Sequence, residues 1–282
     1  MNLSDLTSRM RSKIYHTISK RTYIGLPDLR SWSDAGLYPE FVRRAAQDTR
    51  YFATFKRHPA YRSVLEHVSE EQGAHYLGQI QKQWPELISE IEKFKRNDQV
   101  GNPIRYTYPL TGEISPTTLR YLKVACDLRH LFGDLTGFHV AEVGVGYGGQ
   151  ILLTDMLWQL GSWTLFDLDP VLLLTSRYLE CHMINSVYKP TTLNRFDGET
   201  AKFDLAISNY AFSELPKAVQ LKYISKVLSR AKRGYMTMNS GKFADDGRHL
   251  TIDELRTHCP TQIILDEVPL TAPENYILVW GV

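Results

Sequence analysis

The chain has 282 residues, 43 % apolar, 23 % charged and 11 % aromatic, with Lys plus Arg at 33 against Asp plus Glu at 31. This is globular composition: it excludes a disordered or collagen-like chain, and a formal charge of +2 gives no electrostatic ground for a nucleic-acid partner. No apolar run reaches the roughly 18 to 20 residues a membrane helix needs, so no transmembrane segment is expected.

Residues 1–22 carry Arg9, Arg11, Lys13, Lys20 and Arg21 against Asp5. A basic helix lying on an anionic membrane surface is one reading. Apolar positions are too sparse for firm anchoring, so a solvated or loosely docked arm is expected, and no apolar core follows to make a secretory signal. Residues 60–96 read as helix, with Leu77, Ile80, Trp84, Leu87, Ile88, Ile91 and Phe94 at helical spacing and a break at Pro85. The aromatics Tyr51, Phe52, Phe55 and Tyr61 are expected in packing rather than in a substrate pocket. Pro103, Pro109 and Pro116, with Gly101 and Gly112, predict an extended connector. The boundary is placed there, dividing a helical N-terminal region or lid (1–112) from a cofactor-binding domain (113–282). Ser115 before Pro116 predicts a capped helix that runs to about Phe132 and stops at Gly133.

From His139 the pattern alternates. HVAEVG is followed by a helix near 149–160, WTLFDL by a helix near 170–184, a weak strand TTLNRF by FDLAISN, and then come a helix near 216–231, GYMTMN, a short helix near 251–258, QIILDEV and NYILVWGV. Strands separated by helices imply right-handed crossovers and a mostly parallel sheet covered on both faces. The last two strands have only PLTAPE between them, too short for a parallel crossover, so they should pair antiparallel. The predicted class is α/β: a Rossmann-like, mostly parallel seven-stranded sheet ending in an antiparallel hairpin. That is the arrangement of class I methyltransferases that use S-adenosylmethionine.

The sharpest local signal is AEVGVGYGGQ, residues 141–150, in which Gly144, Gly146 and Gly149 satisfy GxGxxG between a strand and a helix. Alone it admits NAD, FAD and S-adenosylmethionine. Asp167, 21 positions after Gly146 at the end of the second strand, is where a carboxylate accepts from ribose hydroxyls. Glu142 discriminates between these ligands. A carboxylate there repels a pyrophosphate but suits the ammonium and sulfonium of S-adenosylmethionine. Tyr147 and Gly148 of the loop and Leu168 beside Asp167 are counted among the cofactor contacts. Asp197, in RFDGE, is a candidate acceptor for the adenine amino group. Ser208, Asn209 and Tyr210 stand where the fourth strand ends, the edge at which open α/β sheets bind ligands.

The chain resembles the bacterial sugar O-methyltransferases linked to surface-polysaccharide synthesis. The resemblance rests on GNPIRY, ISPTTLRYLK, AEVGVGYGGQ, FDLDP, YLECH, SNYAFSELP, RGYMTMNS and NYILVWG, in order from about residue 100 to the C-terminus. One departure is Asp169, where the family pattern has proline directly after Leu168; this is expected to loosen the start of the following helix. The resemblance implies methyl transfer from S-adenosylmethionine to a sugar or glycan hydroxyl, the acceptor being free, nucleotide-linked, lipid-linked or polymeric.

A sugar hydroxyl has a high pKa and needs a general base. Glu214, five residues after Asn209, and His249, in GKFADDGRHLT, are the candidates; His182 ends a helix away from that edge. Asp245, Asp246 and His249 are the residues that would hold Mg²⁺, but adjacent aspartates before Gly247 read better as a turn, and no metal is assigned. Arg105, Tyr106, Arg120 and Tyr121 are expected to cover the cofactor; aromatic and Arg groups suit sugar faces and a phosphate handle, and domain packing is the even alternative. The competing functions are methylation of another hydroxylated metabolite, a non-catalytic methyltransferase-fold binding protein and an oxidoreductase. The cysteines Cys126, Cys181 and Cys259 form neither a CxxC zinc pair nor a disulfide framework, so a cytoplasmic location, peripheral to the inner membrane or not, is expected. A homo-oligomer stays open.

Overall fold

The computed structural model describes residues 37–242, 247–258 and 261–282. They fall in one compact unit, Ser31–Val282, and the other unit, Met1–Arg30, lies outside the described residues, as does the basic arm expected over 1–22.

The N-terminal part is helical but more broken than its periodicity suggests: α1 Tyr38–Gln47, α2 Thr49–Thr54, α3 Pro59–Arg62, α4 Glu70–Gln83, α5 Glu86–Ser89 and α6 Ile91–Phe94. The breaks have local causes. Asp48 caps α2 through the Arg50 amide, and Ser69 with Gln72 forms a reciprocal capping box at the start of α4. The connector is extended, as its prolines require, and folds into a small antiparallel hairpin, β1 Tyr106–Tyr108 with β2 Gly112–Ile114. Ser115 then caps α7 (Pro116–Phe132) by accepting from the Thr117 amide, and Gly133 ends it at φ +75°.

The remaining elements are β3 His139–Val143, α8 Gly149–Asp155, β4 Ser162–Phe166, α9 Asp169–Glu180, β5 Val187–Thr191, β6 Phe203–Asn209, α10 Lys217–Lys226, β7 Ala231–Met238, α11 Ile252–His258, β8 Ile263–Asp266 and β9 Tyr276–Trp280. The large sheet has the order β5-β4-β3-β6-β7-β9-β8. All pairs are parallel except those of β9, which runs antiparallel to both β7 and β8. This is the Rossmann-like class I methyltransferase fold, with helices added before it. α9 begins at Asp169 without loosening, because an acidic residue suits the first turn of a helix and Asp169 pairs with Arg195 at 2.6 Å. The third crossover strand is a correction. It lies at Val187–Thr191 rather than TTLNRF, and it tolerates Pro190 because β5 is an edge strand.

Alternation assigns the two faces of the sheet. Val140, Leu165, Leu205 and Ile207 pack with α7–α9 and the N-terminal helices, while Ala141, Val143, Phe166 and Ala206 pack against the other face with Tyr223, Ile224 and Leu255. Phe55, Tyr61, Ile80 and Phe94 belong to the first of these cores, continuous with Tyr147 and Tyr178.

Candidate functional site at the carboxyl ends of the strands

The glycine loop turns sharply between β3 and α8, with Gly144 at φ +79° and Gly146 at φ +54°. Glycine is required there twice over. Only glycine takes such φ values cheaply, and a Cβ on Gly144 would sit 2.0 Å from the Ala211 Cβ. A Cβ on Gly146 would sit 2.9 Å from Leu65 Cδ1, so the segment before α4 lies over the loop. Gly148 (φ +94°) packs on Thr175 and Leu179, and Gly149 on Tyr121. Asp167 Oδ2 accepts from the Gly146 amide at 3.2 Å and Oδ1 from the Leu168 amide at 2.8 Å. The carboxylate after β4 is thereby tied to the loop after β3.

Tyr147 points the other way. Its ring is buried among Phe55, Tyr61, Tyr121 and Tyr178, and its hydroxyl takes a 3.1 Å hydrogen bond from Asn97 Nδ2. Asn97 also donates to Thr118 Oγ1 (2.7 Å) and accepts from the Tyr178 hydroxyl (2.7 Å). Lys56 donates to the Asn97 carbonyl, with its ammonium 4.0 Å from the Tyr147 ring centroid; burial brings its pKa down to about 8.

Glu142 is the most unusual group. It is 2 % exposed, its Oε2 has no hydrogen-bond partner, and among the described residues no Lys or Arg pairs with it. Burial and then the Asp167 charge push its carboxyl well above the ordinary range.

Of the residues after β6, Ser208 is fully committed inside the protein: its hydroxyl donates to the Val143 carbonyl at 2.8 Å and accepts from the Phe212 amide at 3.0 Å. That hydroxyl holds the strand ends together rather than facing a ligand. Asn209 keeps a buried Oδ1 with no partner. Tyr210 has φ +68°, a strained value for a bulky residue, with its amide donating to the Thr237 carbonyl at 2.8 Å and its phenol to Glu267. Asp197 lies in an exposed loop and, among the described residues, accepts only the Glu199 amide, at 3.4 Å; because β5 ends at Thr191, it does not follow the strand end directly.

Glu214 ends the one-turn helix Ala211–Glu214. Asn239 Nδ2 donates to its Oε1 at 2.8 Å, burial raises its pKa, and the nearby His249 charge pulls it down. The two candidate bases thus belong to one neighbourhood. Asp245 and Asp246 lie outside the described residues, and among the described residues no group of carboxylate, His and Cys ligands is placed to hold a metal. Tyr38 of α1 was not signalled by the sequence. It is buried against Tyr61 at 5.8 Å and lies within electrostatic reach of both Asp167 and Glu214. Asn239 was findable, since it is a polar residue directly after β7; Tyr38 and Asn97 come from distant helices without a motif.

No family model matches the chain, and no curated protein matches it. Solved structures resemble it in fold. The magnesium protoporphyrin IX methyltransferase of Synechocystis, with bound S-adenosylmethionine, is 12 % identical over 75 % of this chain and 97 % of its own, at a TM-score of 0.45. An S-adenosylmethionine-bound amino pentose methyltransferase from Micromonospora echinaspora is 11 % identical over 58 % and 90 %, at 0.44. The Thermoplasma acidophilum 1320 protein is 13 % identical over 68 % and 95 %, at 0.43. Likeness at this level assigns no substrate.

The chemistry of the site itself fits a cationic nucleoside. Two neighbouring carboxylates, Glu142 and Asp167, border the glycine loop, and the deeper one carries an unpartnered buried oxygen. A buried carboxylate of this kind is costly unless a positive group meets it. A sulfonium and an ammonium supply that charge; a pyrophosphate would add more negative charge at the same place.

Proposed function

We propose that this chain is an S-adenosylmethionine-dependent O-methyltransferase acting on a sugar hydroxyl, in surface-polysaccharide or glycan synthesis. The observation that carries the cofactor is the buried, unpartnered Glu142 oxygen beside Asp167 under the glycine loop. The sugar acceptor rests on the resemblance of SNYAFSELP, ISPTTLRYLK and RGYMTMNS to the sugar methyltransferases.

When bound, S-adenosylmethionine supplies a methyl group on a positively charged sulfur, which leaves as a neutral thioether. The chain's own residues do the rest. Glu142 faces the cationic methionine end, and Asp167 accepts from the ribose hydroxyls beside the Gly146 amide. Asp197 at the rim is the candidate for the adenine amino group, and Asn209 lines the floor. Tyr38 covers the strand ends and excludes water. Glu214, in its ionised form, takes the acceptor proton; a carboxyl whose pKa is raised is a stronger base than an ordinary one. Asn239 holds that carboxylate in place, and its amide leaves Oε2 as the oxygen for the proton. Alignment of the hydroxyl provides much of the rate.

Calorimetry on the full chain tests this. S-adenosylhomocysteine should bind at one site and NADH should not; absence of S-adenosylhomocysteine binding, or tighter binding of NADH, rejects the cofactor. Transfer of labelled methyl from S-adenosylmethionine to a panel of free and nucleotide-linked sugars, with non-sugar alcohols as the second arm, tests the acceptor.

A further inference from the structure

Arg120 lies in the first turns of α7, and its guanidinium is 5.6 Å from the ring centroid of the core residue Tyr121 and 6.0 Å from that of Tyr210. It is 8 % exposed. Its one hydrogen bond runs from Nη2 to the Leu65 carbonyl at 3.2 Å, its Nε has no partner, and no ion pair reaches it among the described residues. Buried guanidinium groups are normally matched by a carboxylate or phosphate, because an unmatched buried charge is costly. Glu66 is within electrostatic reach of Arg120 but forms no ion pair or hydrogen bond with it among the described residues. Glu66 Oε2 accepts from the Thr117 hydroxyl at 2.8 Å, its Oε1 is unpartnered, and burial pushes its carboxyl toward the neutral form. The other neighbours of Arg120 are the phenols of Tyr76, Tyr121 and Tyr210 and the imidazole of His67, whose pKa burial and then the Arg120 charge bring down to about 4.

The position is as informative as the missing partner. Tyr210 directly follows the end of β6, and Leu65, whose carbonyl holds Arg120, is the residue lying over Gly146. The guanidinium therefore stands near the end of β6, the edge at which the proposed methyl transfer takes place, with the Tyr210 ring beside it.

We propose that Arg120 is the anchor of an anion subsite for the acceptor, so that the sugar methylated here carries an oxyanion, either the carboxylate of a uronic acid or a phosphate. This rests on the methyltransferase reading above. The planar fork of arginine matches both groups, and Nε with an adjacent Nη forms the two parallel hydrogen bonds such groups take.

The test is calorimetry on the full chain saturated with S-adenosylhomocysteine, using D-glucuronate, D-glucose 6-phosphate and inorganic phosphate as probes and D-glucose as the neutral control. One or more of the anions should bind more tightly than glucose, and Arg120→Gln should weaken that binding by about tenfold or more, the worth of a charge-assisted pair. Arg120→Lys should recover only part of it. Preference for glucuronate assigns a uronic acid; preference for the phosphates assigns a phosphorylated sugar. The same titrations on the chain without S-adenosylhomocysteine separate this proposal from the cofactor assignment: absence of S-adenosylhomocysteine binding in the wild type sinks that assignment, whereas anion binding that Arg120→Gln abolishes is scored on its own. The subsite is overturned if wild type binds no anion better than glucose, or if Arg120→Gln binds them as well as wild type. Should both variants fail to fold, a crystal of the wild type grown with phosphate decides, the ion either meeting Arg120 Nε or leaving the guanidinium bare.

Discussion

Asn239, directly after β7, donates from Nδ2 to Oε1 of Glu214 at 2.8 Å, so the carboxylate following β6 is held by its neighbouring strand. Replacing Glu214 by Gln keeps the shape and removes the base. The expected outcome is a fall in kcat of about 10²-fold with little change in cofactor affinity. Asn239→Ala should fall short of that loss, since the base remains but is no longer oriented. Turnover at saturating cofactor measures both. Unchanged turnover in Glu214→Gln removes it from the mechanism.

The pH profile follows from the same carboxyl. Burial holds its pKa above the ordinary carboxyl value, and it must be ionised to act. Activity should therefore rise with pH through an apparent pKa above that of an exposed glutamate. Positive charge at His249 lowers that pKa, so His249→Ala should move the rising limb to higher pH. A limb that stays in place in His249→Ala separates the two groups.

Glu142 should show a trade of stability for function. Its folded carboxyl is raised, so its contribution to stability is full below the unfolded pKa and is lost as pH rises through the folded one. At neutral pH the ligand-free protein carries the penalty. Glu142→Gln should raise Tm at pH 7, by about 2 °C for each kcal/mol relieved, while weakening S-adenosylhomocysteine binding. Thermal melts with and without that ligand measure the two effects together. A variant that melts lower and binds normally contradicts the assignment.

Gly144→Ala should fail in the opposite sense. The φ of +79° and the Ala211 Cβ at 2.0 Å leave no room for a methyl group, so the loop must move. Strain of this kind costs about 1–3 kcal/mol, and S-adenosylhomocysteine binding should be lost. Urea unfolding and calorimetry check each half.

Asn97→Ala removes a partner from both the Tyr178 and Tyr147 hydroxyls in the buried interior. A loss of about 2–3 kcal/mol is expected by urea denaturation, larger than for Tyr178→Phe, which removes a single donor.

Much of the sheet was legible because its strands are apolar runs bounded by strong punctuation: Ser115–Pro116 and Gly133 around α7, Gly144–Gly149 before α8, and the short link before β9. The strand that was misplaced, β5, is the edge strand with an exposed, proline-containing sequence, so neither alternation nor an apolar run marked it. Main-chain sites followed from motif spacing, as the Asp167–Gly146 bond illustrates. Side-chain direction did not. Ser208 and Tyr147 stand in the expected places, but their hydroxyls serve Val143 and Asn97, because a polar group near a ligand edge is equally able to satisfy the backbone or core beneath it. Tyr38 reaches Tyr61, and Leu65 meets Arg120 and the Gly146 turn, through long-range packing that no local pattern encodes.

The bond from Asn97 to Tyr147 means that the helical segment over residues 38–99 is part of the mould in which the glycine turn is cast. An exchange of this helical segment for one from another protein, meant to alter the acceptor, would also have to bring its own asparagine and lysine at the equivalents of Asn97 and Lys56. Without them the turn loses its buttress, and a chimera made to change one substrate would forfeit its grip on the other.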